Sequence, residues 1–311
     1  MRIPTNDMKT TILSLMLVLT LCGASSAADK KATKTPAKAS SGMRENYVSS
    51  LASNLQPTRL VVYKRVGDRE LKLHLFLPAD WKATDRRSCF LTIHGGGWTG
   101  GDAPRMYAFA AHFAKLGMVA ASVEYRLLKA GNGVTVFDCV KDGRSAVRYV
   151  RAHAAELGVD PQRIVVNGGS AGGHVAVSTA IFTTINEAGE DVKISAEPNA
   201  MIPLFPVIDT SKDGYGNAKI GERWKELSPA HNVRPGLPPT LVFHGTGDTT
   251  TPFKGAKLFH DEMLKAGNSC ELDVNEGGVH GYLMFNQALY EDTLVKMEAF
   301  LRRLKFLPAQ P

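Results

Sequence analysis

Residues 167–174 read Asn167-Gly168-Gly169-Ser170-Ala171-Gly172-Gly173-His174, four glycines around one serine, directly after Arg163-Ile164-Val165-Val166. Three readings compete: a phosphate cradle, a plain turn, or a support that holds up Ser170. The β-branched run predicts a buried strand at 164–166, and the chain beyond it predicts a helix starting near Ala171. Gly168-Gly169-Ser170-Ala171-Gly172 therefore fits G-x-S-x-G in the strand–turn–helix setting that the pattern requires. A serine on so sharp a turn sits in a strained backbone conformation, and flanking glycines let neighbouring chain pass without Cβ clashes. Such a turn lifts the hydroxyl above the sheet edge and sets the first helical amide, that of Ala171, beside it. The phosphate reading lacks the Gly-Lys-Ser/Thr ending. A helix-entry turn with an inert serine stays open as the bland alternative.

Serine is a poor nucleophile until a base takes its proton. On a sheet of this kind the partners follow in the order serine, acid, histidine. Leu241-Val242-Phe243-His244 reads as a strand running into Gly245-Thr246-Gly247-Asp248, and Leu272-Asp273-Val274 as one running through Gly277-Gly278-Val279 into His280. Ser170, Asp248 and His280 are then loop residues at the carboxyl ends of three strands, where such sheets place their sites. Of nine histidines, His280 alone combines a loop position with a place after the acid. Asp273 competes with Asp248 but falls in mid-strand.

His94-Gly95-Gly96-Gly97-Trp98 follows the expected strand 89–93. Acyl transfer passes through a tetrahedral oxyanion, and one preorganised amide contributes about 3–4 kcal/mol to stabilising it. The amides of Gly96, Gly97 and Ala171 are the candidate oxyanion hole, with His94 tying the loop down. A rival reading must be weighed, because residues 95–100 also fit G-x-G-x-x-G and Glu124 ends the next strand. Dinucleotide binding needs a helix opening at those glycines, and Gly100-Gly101-Asp102-Ala103-Pro104 delays it.

Alternating residues predict a hairpin of strands at 60–63 and 71–77, and apolar runs predict further strands at 118–123, 200–207 and 270–274. Helical spacing marks 105–116, 137–157, 253–266 and 287–304. Strands alternating with helices imply an α/β fold: a mostly parallel central sheet, helices on both faces and an N-terminal antiparallel hairpin. Residues 209–238 form one long irregular connection, a candidate substrate-side loop or small cap. Trp98, Tyr215 and Trp224 are candidate substrate contacts; ordinary loop packing is the alternative.

The N-terminus reads differently. A positive start at Lys9, an apolar core over 11–21 and small residues through Ala28 predict a signal peptide at 1–28, with Met8 a natural start. The core is short for a membrane span, so a retained anchor is the weaker reading. Residues 29–44, rich in Lys, Ala, Thr, Ser and Pro, predict a disordered linker, leaving one catalytic domain at 45–311. Residues 1–44 hold seven Lys or Arg against Asp7 and Asp29, a net of +5 out of the chain's +7. The domain is therefore close to neutral and carries no nucleic-acid footprint. Cys89, Cys139 and Cys270 would remain after leader removal, an odd set without metal-ligand spacing.

With these residues in place, the chain resembles the α/β-hydrolase superfamily over residues 55–306. The resemblance rests on His-Gly-Gly-Gly-Trp at 94–98, Gly-Gly-Ser-Ala-Gly-Gly-His at 168–174, His-Gly-Thr-Gly-Asp at 244–248 and Val-His-Gly at 279–281. Within it the chain looks most like secreted esterases and lipases related to bifunctional feruloyl and acetyl-xylan esterases. It departs from the hormone-sensitive-lipase-like branch at Gly169, where that branch has Asp, and at Tyr125-Arg126-Leu127-Leu128-Lys129. The resemblance implies Ser170 as nucleophile, His280 as base and acid, Asp248 as its orienting partner, and no metal or organic cofactor. The expected activity is a secreted or periplasmic serine carboxylesterase acting on short acyl esters, with acetyl or feruloyl groups on plant polysaccharide as the analogy. A lipase or peptidase on this fold, or a non-catalytic binding protein, is the alternative. Oligomeric state is not legible.

Overall fold

The computed structural model describes residues 46–308. The expected signal peptide, 1–28, and the whole of the expected linker, 29–44, lie outside the described residues. Eight strands form one sheet: β1 Arg59–Val66, β2 Arg69–Phe76, β3 Arg87–Ile93, β4 Val119–Val123, β5 Val159–Gly169, β6 Ala200–Leu204, β7 Thr240–Gly245 and β8 Cys270–Asn275. Their spatial order is β1-β2-β4-β3-β5-β6-β7-β8. The β1–β2 and β2–β4 pairs are antiparallel and every later pair is parallel.

Alternation along the central strands explains the layering. Cys89, Leu91 and Ile93 of β3 join Val119, Ala121 and Val123 of β4 in one buried cluster, while Phe90 and Ala120 join a second. Successive side chains point to opposite faces, so strands with apolar residues on both faces need cover on both sides. Helices α3 Val136–Ala152, α5 Ala171–Ile181 and α7 Phe253–Lys265 cover the first face. Helices α1 Tyr47–Ala52, α2 Tyr107–Lys115 and α8 Gln287–Arg303 cover the second.

Several expected boundaries shift for identifiable reasons. The single helix expected over 137–157 is two, α3 and a short α4 Ala154–Leu157, because His153 leaves the helical region (φ −105°, ψ 23°) and its ring Nδ1 bonds the Tyr149 carbonyl at 3.0 Å. The expected strand 200–207 stops at Leu204, where Phe205 takes a φ of +34°. Before α2 the chain makes one 3-10 turn, Ala103–Met106, behind Pro104. That turn keeps the glycines at 95–101 outside any helix, which removes the dinucleotide reading. Residues 209–238 carry a short helix, α6 Asn217–Ile220, and 3-10 turns at Gly221–Leu227 and Pro229–His231. Cys89, Cys139 and Cys270 are buried and unbridged. No helix among the described residues is long and apolar enough to cross a membrane.

Candidate active site

Ser170 stands between β5 and α5 with φ +56° and ψ −121°, a conformation costly for a residue with a Cβ. Its neighbours hold it there. The Ser170 amide donates to the Leu204 carbonyl at 3.0 Å, and the Ser170 carbonyl accepts from the amides of His174 at 3.1 Å and Val207 at 3.0 Å. A Cβ on Gly172 would stand 2.1 Å from the Ile93 carbonyl oxygen, so the first turn of α5 rests directly on the end of β3. At Gly169 a Cβ would meet the Phe205 ring at 3.1 Å. Phe205 thus fills the space that any side chain at position 169 would need.

His280 and Asp248 converge on that serine from the ends of β8 and β7. The His280 Nε2 lies 2.9 Å from Ser170 Oγ, and its Nδ1 lies 2.8 Å from Asp248 Oδ2. Asp248 Oδ1 accepts from the amides of Thr250 and Thr251, both at 2.8 Å, and Oδ2 accepts from the Thr251 hydroxyl at 2.9 Å. Burial alone would raise the Asp248 carboxyl, but the bonds from His280 and Thr251 outweigh it and hold the group below its ordinary value. A carboxylate therefore faces Nδ1, which places the ring proton there and leaves Nε2 free to accept from the serine. The Phe205 ring meets the imidazole edge-on at 5.2 Å.

The glycine loop approaches from β3. Gly96 and Gly97 have φ +125° and +60°, and Trp98 follows with +62°. Among the described residues the amides of Gly96, Gly97 and Ala171 donate to no protein acceptor. His94 anchors the loop: its Nδ1 donates to the Gly95 carbonyl at 2.9 Å, its ring stacks on Tyr125 at 4.5 Å, and burial pushes its pKa down to about 4. Gly95, Gly96, Gly97, Ser170 and His280 border a cleft of about 510 Å³ whose other walls include Phe205, Tyr215, Met284, Phe285 and Arg105.

The three expected substrate contacts separate. Tyr215 lines the cleft. Trp98 does not, because it is fully buried under the loop between His174 and Tyr215, with ring distances of 5.1 and 5.6 Å. Trp224 packs edge-on against His231 at 5.2 Å, away from the cleft. Sequence reasoning missed Phe205, Thr251 and His244. His244 is buried in β7, and its Nε2 donates to the Thr251 carbonyl at 2.7 Å, which braces the loop that presents Asp248. Its position at a strand end, four residues before Asp248, was the available signal.

A family model described as BD-FAE matches residues 73–263. Among curated proteins, a probable isoprenylcysteine alpha-carbonyl methylesterase of Arabidopsis thaliana is 28% identical over 247 residues, covering 71% of this chain and 50% of that protein. A probable carboxylic ester hydrolase of Mycobacterium tuberculosis is 25% identical over 252 residues, covering 74% and 57%. The chain spans about half the length of these curated relatives. Among solved structures, Thermogutta terrifontis esterase 2 phosphoramylated by tabun is 44% identical with a TM-score of 0.77, covering 81% of this chain and 96% of that one. The propionate-bound form of the same esterase is 42% identical with a TM-score of 0.76, over the same shares.

Proposed function

We propose, from the premise that the chain belongs to the BD-FAE family of α/β-hydrolase-fold proteins, that it is a serine carboxylic ester hydrolase working through Ser170, His280 and Asp248. The observation that carries this reading is the hydrogen-bond chain from Asp248 to His280 (2.8 Å) to Ser170 (2.9 Å) beside three unengaged amides. His280 Nε2 takes the Ser170 proton as Oγ attacks the ester carbonyl. The carbonyl oxygen, now an alkoxide, is held by the amides of Gly96, Gly97 and Ala171. The imidazolium, steadied by Asp248, protonates the leaving alkoxide as the ester C–O bond breaks. Water then attacks the acyl-enzyme by the same steps and returns the proton to Ser170.

A preference for short acyl groups is supported by the likeness to the Thermogutta esterase, whose solved forms include propionate- and butyrate-bound ones. Phe205, Met284 and Phe285 give the cleft its apolar wall. We extend the reading to a secreted enzyme acting on acetyl or feruloyl esters of plant polysaccharide. Its support is the leader-like N-terminus and the family match. The test pairs purified protein with its Ser170→Ala variant, using a fluorophosphonate probe and p-nitrophenyl acetate. Wild type is expected to take the label and turn over the ester, and the variant to do neither; equal, background behaviour of both would reject the hydrolase. A panel of acetylated xylan, methyl ferulate, long-chain esters and a peptide amide then ranks substrates.

A further inference from the structure

Every carbonyl of the loop from Gly95 to Thr99 is engaged. The Gly95 oxygen accepts from His94 Nδ1 at 2.9 Å, and the Gly96 oxygen from the amides of Thr99 at 3.1 Å and Gly100 at 3.0 Å. The Trp98 oxygen accepts from the Leu128 amide at 2.9 Å. The remaining two are held by ammonium groups: Lys219 Nζ donates to the Gly97 oxygen at 3.0 Å and Lys129 Nζ to the Thr99 oxygen at 2.6 Å. Among the described residues neither lysine pairs with a carboxylate; the other partner of Lys219 is the Tyr215 hydroxyl at 2.9 Å.

This arrangement bears directly on the amides. In a trans peptide the C=O and N–H point in opposite directions, so fixing a carbonyl fixes the next amide. The Gly95 and Gly96 carbonyls are thus locked opposite the amides of Gly96 and Gly97. The Gly97 carbonyl belongs to the next peptide unit, the one that carries the Trp98 amide, and has only Lys219 to hold it. What Lys219 fixes is therefore the far flank of Gly97, while the Gly97 amide itself is oriented by the Gly96 carbonyl. Gly97 is a glycine at φ +60°, followed by Trp98 at +62°, so rotation there meets little steric resistance from Gly97 itself. An atom at the Gly97 Cβ position would lie 3.0 Å from Lys219 Nζ, which puts a positive charge beside the very residue whose amide faces the oxyanion.

We propose that Lys219 is a positioning residue for the oxyanion loop: it clamps the Gly97 carbonyl through a side chain braced on Tyr215 and adds positive potential behind the amides, with Lys129 securing the end of the loop. This rests on the esterase reading. The expected signature is a loss of transition-state stabilisation without a loss of substrate binding. Lys219→Met should lower kcat for p-nitrophenyl acetate by roughly tenfold, less than the ~10²–10³ of a lost oxyanion donor, with KM within about twofold. Lys219→Arg should recover most of kcat, because a guanidinium can donate to the same carbonyl, and Lys129→Met should fall less than Lys219→Met. All rates are taken per active site titrated with a fluorophosphonate, so partial unfolding lowers the titre and not kcat. The phosphonylation rate should drop in parallel, since its transition state places an anionic oxygen in the same hole. An unchanged kcat per titrated site in Lys219→Met, or an Arg variant no better than Met, overturns the proposal. Wild type that takes no probe overturns the esterase reading, and this inference with it.

Discussion

At Ser170 the backbone carries a strain that only its surroundings sustain, and the side chains that meet it are fixed by their hydrogen bonds. Asp248 shows how many bonds one position gathers, with Oδ1 on two loop amides and Oδ2 shared by His280 and Thr251. Asp248→Asn separates these roles. Its amide oxygen can still cap the loop through the Thr250 and Thr251 amides, so the protein should stay folded with a thermal midpoint lowered only by the lost carboxylate contribution and the Thr251 hydroxyl bond. The NH₂ then faces Nδ1 and favours the tautomer that puts the proton on Nε2, where it cannot accept from serine. We expect kcat to fall about 10³–10⁴-fold, with KM little changed; steady-state kinetics beside a melting curve checks both. Ser170, Asp248 and His280 were legible because each follows a strand that its residues declare. The place of Trp98 was not, because nothing in its neighbours announces a φ of +62° and a ring turned under the loop. Phe205 was equally silent: its role depends on the absence of a Cβ at Gly169, a contact between residues distant in sequence.

Elements were readable where periodicity was strong and blurred where a single residue competes with the backbone. The doubly apolar strands, the hairpin and the helices near 253–266 and 287–304 follow from spacing; the break at His153 depends on one ring nitrogen reaching a carbonyl. The entry of α5 is the element on which the site depends, and its glycines are packing requirements. An alanine inside a helix ordinarily stabilises by about 0.8–1.0 kcal/mol over glycine. Gly172→Ala should reverse that sign, because the new methyl would stand 2.1 Å from the Ile93 oxygen and 2.5 Å from the His94 oxygen, both backbone atoms. The helix must move off β3, which lowers the melting temperature and shifts Ser170 from His280. Differential scanning calorimetry and p-nitrophenyl acetate turnover should fall together; a variant more stable than wild type would contradict the contact.

For the described domain as a whole, the buried histidines tie separate layers to pH. His174, within α5, is completely buried and bonds the Leu227 carbonyl at 2.8 Å, joining that helix to the 209–238 connection; His94 joins β3 to the glycine loop. Burial drives both down to about 4, so both stay neutral in the fold well below the pH at which an unfolded chain would protonate them. The unfolded imidazole takes its proton near about 6.5. Between these values the unfolded state binds more protons, so stability is complete above about pH 6.5 and drains away as pH falls toward 4. Each histidine accounts for roughly 3 kcal/mol at most over that window, against about 5–15 kcal/mol for a typical domain. Asp248, whose carboxyl is held low in the fold, acts in the same direction at still lower pH, its contribution being lost as the carboxylate protonates. Urea midpoints measured from pH 7.5 to 4.5 should therefore decline steeply below about 6.5 with little change in slope m. His174→Gln, whose amide can still donate to Leu227, should flatten the decline by about one histidine's share. A profile level down to pH 5 would mean that these imidazoles take up protons without unfolding, and that the layers do not exclude water as tightly as their burial indicates.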